Sequence, residues 1–285
     1  LIAPKAQAHQ APVHPLERIL SDPALSQSHV GIEVRRLSGE VLFSYQANRL
    51  FTPASVVKLA TTTAALRRLG PETRFKTDLL ADTEIADGSL PGNLWLKGYG
   101  DPTLRSEDLD AFVAALAVKG VTRIAGDLVA DASAFTGPRY PSGWMWDDLP
   151  YGFAAPTSAL SLDGNAPLAD SMRDAPELRA AQRLSERLAA AGIVLAGTVR
   201  VGPPPAPEAT LLHRRWSPTL AEIVTRTNKE SNNLFAETLV HHLGLTGDAS
   251  SSVPMAGTHA TGMAVLKQTL AELGWMEGQF RLSDG

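Results

Sequence analysis

Within "TPASVVKLATTTAALRRLG", residues 52–70, Ser55 stands three positions before Lys58. A serine hydroxyl is a poor nucleophile until a base removes its proton, and a lysine can be that base only where its surroundings make the neutral amine accessible near pH 7. On a helix, positions i and i+3 share a face, so the two side chains can meet. A helix N-terminus beside the serine would add free N–H groups and a field that favours an oxyanion. No other serine in the chain has a lysine at +3, and Lys58 lies between Val57 and Leu59 rather than among the charges Arg67 and Arg68. A lysine so placed is a candidate for burial and a lowered pKa. The plainer reading, a helix-capping serine and a solvated lysine, fits the same residues.

"KESNNLF" holds the only Ser-x-Asn of the chain, Ser231 and Asn233. A hydroxyl and an amide side by side can relay a proton and hold a substrate amide, although a self-bonded turn would use the same residue types. Other chemistry finds less support. The seven histidines include His241-His242 but no H-E-x-x-H and no clear metal spacing, so they read as core or solvated residues, and no metal or cofactor is implied. "KGYGD" completes neither nucleotide-loop pattern. With no cysteine there is no disulfide framework and no thiolate chemistry. A formal net charge of -4 supplies no basic footprint for nucleic acid.

The elements that must position these residues follow from periodicity. Gly31 to Arg36 and Val41 to Tyr45 alternate as two strands turning at Ser38-Gly39. A helix follows, entered at Pro53 and Ser55 and stopped at Gly70-Pro71, with Val56, Val57, Ala60, Ala64 and Leu66 as its apolar face. From Pro71 to about Arg214 short strands and helices alternate as a second α/β unit. It includes a helix with Leu109, Phe112, Val113 and Leu116 on one face, a helix in "PELRAAQRLSERLAAAG", and a strand pair in "IVLAGTVRVGPPPAP". "SPTLAEIVTRTNKESNNLFAETLVHHLG" reads as two helices joined by a polar turn, the first capped by Ser217 with Pro218 at N1. At 285 residues the chain can bury a sizeable core in one large or two modest domains. The start "LIAPKAQAHQAPVHP" has no apolar signal-peptide core, and no window reaches the ~18 uncharged apolar residues of a spanning helix.

Ser-x-x-Lys with Ser-x-Asn and Lys-Thr-Gly is a signature of class A β-lactamases and penicillin-binding proteins. With "GDPTL" (100–104), "AGDLVADASAF" (125–135), "GWMWDDL" (143–149), "AAPTSALSLDGN" (154–165), "NKESNNLFAETL" and the closing "LSDG", the chain resembles the D-alanyl-D-alanine carboxypeptidases of the penicillin-binding protein 4 type, the class C low-molecular-mass penicillin-binding proteins. The resemblance covers residues 25 to 285. The interval of 176 positions from Ser55 to Ser231 agrees with it, since compact β-lactamases place the second motif much sooner.

The resemblance implies an α/β (α+β) fold with a serine β-lactamase/DD-peptidase-like catalytic domain that is discontinuous. Residues 27–70 and 216–285 would form it, 71–215 an inserted α/β domain, and 1–26 an N-terminal extension. It makes Ser55 the acylated nucleophile, Lys58 its base, Ser231 the proton relay to the leaving amine and Asn233 the holder of the substrate amide. Asp148, with Asp147 as the close alternative, would face the ammonium end of the stem-peptide side chain, and Phe153 would be an aromatic wall. Peptidoglycan stem peptides are the implied substrates and β-lactams the implied inhibitors. The implied location is the periplasm or another extracytoplasmic part of the envelope, after export and signal-peptide removal. A β-lactamase or esterase with the same Ser-Lys pair, or a catalytically silent cell-wall binding protein, are the alternatives.

Two departures accompany the resemblance. The family's Lys-Thr/Ser-Gly motif is not found, Lys76-Thr77 being followed by Asp78, so a C-terminal portion is expected beyond these 285 residues. Only a short polar link joins Asn165 to Pro176, where the family commonly carries a further small domain. Either this member lacks that domain or the sequence joins segments across a gap.

Overall fold

The computed structural model describes residues 14–165, 175–246, 256–275, 278 and 280–285. The link after Asn165, at residues 166–174, lies outside them. The chain forms two compact units, residues 1–52 and 53–285.

The first unit holds helix α1 (Pro15–Leu20) and the antiparallel strands β1 (Ile32–Arg35) and β2 (Val41–Tyr45). Ile32 pairs with Tyr45 and Val34 with Phe43, the register expected from a turn at Ser38-Gly39. Phe51 stacks on His29, and Phe43 on His14.

The second unit begins with a 3-10 turn, Ala54–Val57, that runs directly into α2 (Lys58–Leu69). It continues through β3 (Lys76–Ala81), β4 (Ser89–Leu90), β5 (Leu94–Gly98), α3 (Leu109–Val118), β6 (Arg123–Ile124), β7 (Leu128–Asp131) and β8 (Phe135–Thr136). Next come α4 (Pro176–Ala190), β9 (Val194–Leu195), β10 (Val199–Val201), β11 (Thr210–Trp216), α5 (Leu220–Glu230), α6 (Asn233–Leu245), β12 (Gly257–Thr258) and α7 (His259–Glu272). Five strands make a mixed sheet in the order β10-β7-β5-β3-β11, and β4-β6-β9 make a small parallel one. Leu79, Leu96, Leu128 and Ala130 on one face of the large sheet share a core with Leu109, Phe112 and Leu116 of α3 and Ala180, Leu184 and Leu188 of α4. Helix α3 buries the four residues expected of it.

The other core is helical. Ala60 and Ala64 of α2 pack with Val240 and Leu243 of α6 and with Met263, Leu266 and Leu270 of α7. Ala65 joins Leu220, Ile223 and Val224 of α5 and Phe235 and Leu239 of α6. Alanines on the inner face of α2 let three helices approach it closely, since helix separation follows the size of the side chains at the contact. At the crossing of α6 and α7, a Cβ added to Gly262 would lie 1.8 Å from the Val240 carbonyl oxygen, so only glycine fits there.

Three expectations are corrected. Val56 is exposed rather than part of the apolar face, because residues 54–57 wind at three residues per turn and carry it off the α-helical stripe. Residues 194–201 are not a paired hairpin. β9 lies parallel to β6 and β10 parallel to β7, the chain passing without reversal from one sheet to the other at Gly197, whose N–H donates to Gly126 O. The cap of α5 is Thr219, whose hydroxyl accepts from Glu222 N–H while the Glu222 carboxylate accepts from Thr219 N–H. Ser217 instead turns inward and accepts from Phe75 N–H at 2.8 Å.

Candidate active site

Ser55 lies in the 3-10 turn and Lys58 opens α2, so the pair sits where a helix presents free N–H groups and the positive end of its dipole. Lys58 Nζ donates to Ser55 Oγ at 3.1 Å. The lysine is 5% exposed whereas the serine faces solvent, so the hydroxyl is open to solvent while its partner is enclosed. Burial lowers the Lys58 pKa, and the negative charge of Asp284, with that of Glu237 when it is ionised, opposes the shift.

Helix α2 is pinned just behind the lysine. Thr62 Oγ1 donates to Lys58 O at 2.8 Å, and Asn228 Nδ2 of α5 donates to Thr62 Oγ1 at 3.2 Å. Three residues after Asn228, Ser231 ends α5 in a left-handed conformation, φ 55° and ψ 41°. This permits α6 to begin two residues later, with the Asn232 side chain accepting from Phe235 N–H as its cap. Ser231 is thus exposed at a sharp junction between α5 and α6. Its hydroxyl hydrogen-bonds neither Ser55 nor Lys58.

Asn233, the first residue of α6, donates through Nδ2 to the Phe153 carbonyl at 3.0 Å. That bond joins the Ser-x-Asn motif to the 3-10 turn Gly152–Ala154. The Phe153 ring is exposed and stacks on Tyr151, centroids 5.4 Å apart. Of the two acids, Asp148 is half-buried and accepts from Met145 N–H at 3.2 Å, while Asp147 is exposed. The structure therefore brings together Ser55 with Lys58 and Asn233 with Phe153, and the side chains of Ser231, Asp147 and Asp148 hydrogen-bond neither pair.

Three groups behind the pair were not singled out from sequence. Glu237 is buried on α6, its Oε1 accepting from Gly285 N–H at 2.7 Å, and burial pushes its carboxyl up to about 7. His259 Nε2 lies 3.4 Å from Glu237 Oε2. Asp284 lies against Gly143, where an added Cβ would come within 2.8 Å of its Oδ2. The available signal was a lone acid in the apolar run of α6. The glycines of "KGYGD" serve packing: Gly100 O meets His242 Nε2 at 2.7 Å, and a side chain at Gly100 would strike that ring. His241 and His242 are buried and shifted down by burial, His242 to about 4, as expected of core histidines.

A family model, the D-Ala-D-Ala carboxypeptidase 3 (S13) family, matches residues 13–175 and 166–285. The chain belongs to this family. A D-alanyl-D-alanine carboxypeptidase of Actinomadura sp. (strain R39) is 28% identical over 95% of this chain and 63% of its own length. A D-alanyl-D-alanine carboxypeptidase of Haemophilus influenzae is 34% identical over 48% of this chain and 29% of its own. The chain spans less than two thirds of either relative. The crystal structure of penicillin binding protein 4 from Haemophilus influenzae superposes with a TM-score of 0.76 at 24% identity, covering 87% of this chain and 68% of that one. The same protein complexed with a β-lactam gives 0.69. The S13 member described here therefore has the α/β fold of penicillin binding protein 4. Among the described residues no helix is long and apolar enough to cross a membrane.

Proposed function

We propose that this S13 member is a serine-type D-Ala-D-Ala carboxypeptidase acting on peptidoglycan stem peptides, with DD-endopeptidase cleavage of cross-links by the same machinery. The observation that carries this reading is the 3.1 Å contact between the exposed Ser55 hydroxyl and the buried Lys58 amine. Lys58, as the neutral amine, takes the Ser55 proton as Oγ attacks the carbonyl of the penultimate D-Ala. The oxyanion is stabilised at the helix start, with Ser55 N–H as one donor, a type of contact worth ~10²-fold or more in rate. Proton delivery through Ser231 releases D-Ala, and water then hydrolyses the Ser55 ester. Asn233, anchored on the Phe153 carbonyl, holds the substrate amide. Phe153 and one of Asp147 and Asp148 line the approach of the side-chain ammonium.

In this reading residues 27–70 and 216–285 belong to one catalytic domain, and 71–215 to an inserted one. The substrate places the enzyme outside the cytoplasmic membrane. β-Lactams acylate Ser55 because their amide mimics the scissile bond, leaving an ester that is slow to hydrolyse. Intact-mass measurement of the full-length protein and of Ser55→Ala after exposure to benzylpenicillin tests this. One adduct on the wild type and none on the variant is expected. No adduct on either returns Ser55 to a residue of the helix start.

A further inference from the structure

Glu237 is an acid set among buried apolar neighbours, with Leu234, Phe235, Ala236, Leu239 and Val240 on the same helix. Its side chain is 3% exposed. One carboxyl oxygen is bonded to Gly285 N–H at 2.7 Å, and the other faces His259 Nε2 at 3.4 Å. Neither Glu237 Oε2 nor His259 Nε2 has a hydrogen-bond partner among the described residues, and both are fully enclosed. An ionised carboxylate with one N–H donor and no paired cation would be costly there. A proton on the line between Oε2 and His259 Nε2 satisfies both enclosed atoms at once, and only when it belongs to the carboxylic acid, with the imidazole neutral, is no charge buried there.

The charged and titratable groups around it come from α2, α6, α7 and the closing segment. Lys58 is on α2, Asp284 on the closing segment, His259 on α7, and His241 on α6 itself, its ring edge-on to His259 at 6.3 Å and its Nδ1 against Gly257 O. Gly285 lies on α6, where an added Cβ would meet Val240 and Ala236. The Glu237 bond therefore holds the segment that carries Asp284, one of the two acids whose charge acts on Lys58.

We propose that Glu237 is a positioning residue for the Ser55–Lys58 pair: as a neutral acid sharing its proton with His259, it ties the Asp284–Gly285 segment to α6 without placing a second negative charge beside Lys58. The proposal rests on Lys58 being the base. When Glu237 ionises, the added charge favours the lysine ammonium, and the base is withdrawn. The direction in which burial moves this carboxyl agrees with the geometry.

Two readouts test it. Infrared difference titration of the wild type against Glu237→Gln, which retains an acceptor for Gly285 N–H, is expected to show a protonated carboxyl at pH 6. A carboxylate at that pH overturns the proposal. His259→Gln, which offers an N–H to Oε2, is expected to move the same titration to lower pH, and an unmoved midpoint overturns the shared proton. In parallel, the acylation rate with benzylpenicillin is compared between Glu237→Gln and wild type. The ratio is expected to be close to unity at pH 6 and to rise on the order of threefold by pH 8, as the Glu237 charge that favours the Lys58 ammonium appears in the wild type alone. A ratio equal at all pH values marks a merely structural residue. If the wild type is never acylated, the Ser55 reading fails, whereas the infrared titration still decides the state of Glu237.

Discussion

Asn228 Nδ2 and Thr62 Oγ1 meet at 3.2 Å, one helical turn behind Ser231 and one behind Lys58. The two motifs that sequence places 176 residues apart are thereby tied through a polar bond between α2 and α5. Thr62 spends its own proton on Lys58 O, which fixes its hydroxyl as the acceptor for Asn228. Thr62→Val removes both bonds and leaves the Asn228 amide without its partner. We expect a loss of about 1–3 kcal/mol in chemical denaturation, together with slower acylation of Ser55. Unchanged acylation in a destabilised variant would separate the helix clamp from the reaction.

Lys58→Met tests the proposed base directly. The substitution keeps an unbranched side chain in the enclosed position and removes an amine whose burial is unfavourable to charge. Acylation by benzylpenicillin is expected to fall by ~10²-fold or more, the scale of a lost general base. The melting temperature should be equal or higher. A variant that melts normally and is acylated at the wild-type rate would show that another group activates Ser55.

The pH dependence of stability carries a sign that can be checked at Glu237. Its folded pKa, about 7, stands above the usual 4.5, so between those values the folded protein binds more protons than the unfolded chain. Stability from this group is complete below pH 4.5 and is lost as pH rises through 7, by up to about 3 kcal/mol. Glu237→Gln lacks this dependence. The stability difference, variant minus wild type, should grow in favour of glutamine from pH 5 to pH 8 in urea denaturation. A difference constant across that range would mean that Glu237 ionises in the folded protein as it does in the unfolded one.

Arg215 should matter for folding, being remote in role from Ser55. It pairs with the fully enclosed Asp101 and, at 2.9 Å, with Asp108. Asp101 also accepts from Thr103 N–H and Oγ1, so its carboxylate is built into the turn after β5. Arg215→Met leaves that buried charge without its cation, and a cost of about 3–5 kcal/mol is expected by thermal or urea denaturation. A loss under 1 kcal/mol would show that the Thr103 bonds alone hold Asp101.

What the sequence determined by itself was local or patterned. The Ser55–Lys58 contact follows from i,i+3 spacing at a helix start, and the β1–β2 register from alternation about Ser38-Gly39. The division of α5 from α6 follows from the polar run in "TNKESNN", and the α3 core face from its 3.6-residue period. Tertiary structure decided the rest. A 3-10 turn rather than a full helix start turns Val56 outward. β9 and β10 join different sheets because each follows a parallel neighbour, a choice made by strands distant in sequence. Glu237, His259 and Asp284 gather behind Lys58 only through the packing of α6, α7 and the closing segment, and an acid's neighbours, not its spacing, set whether its proton stays. Side-chain periodicity reports which face is buried; which charges meet on the far side of that face is fixed only when the helices close.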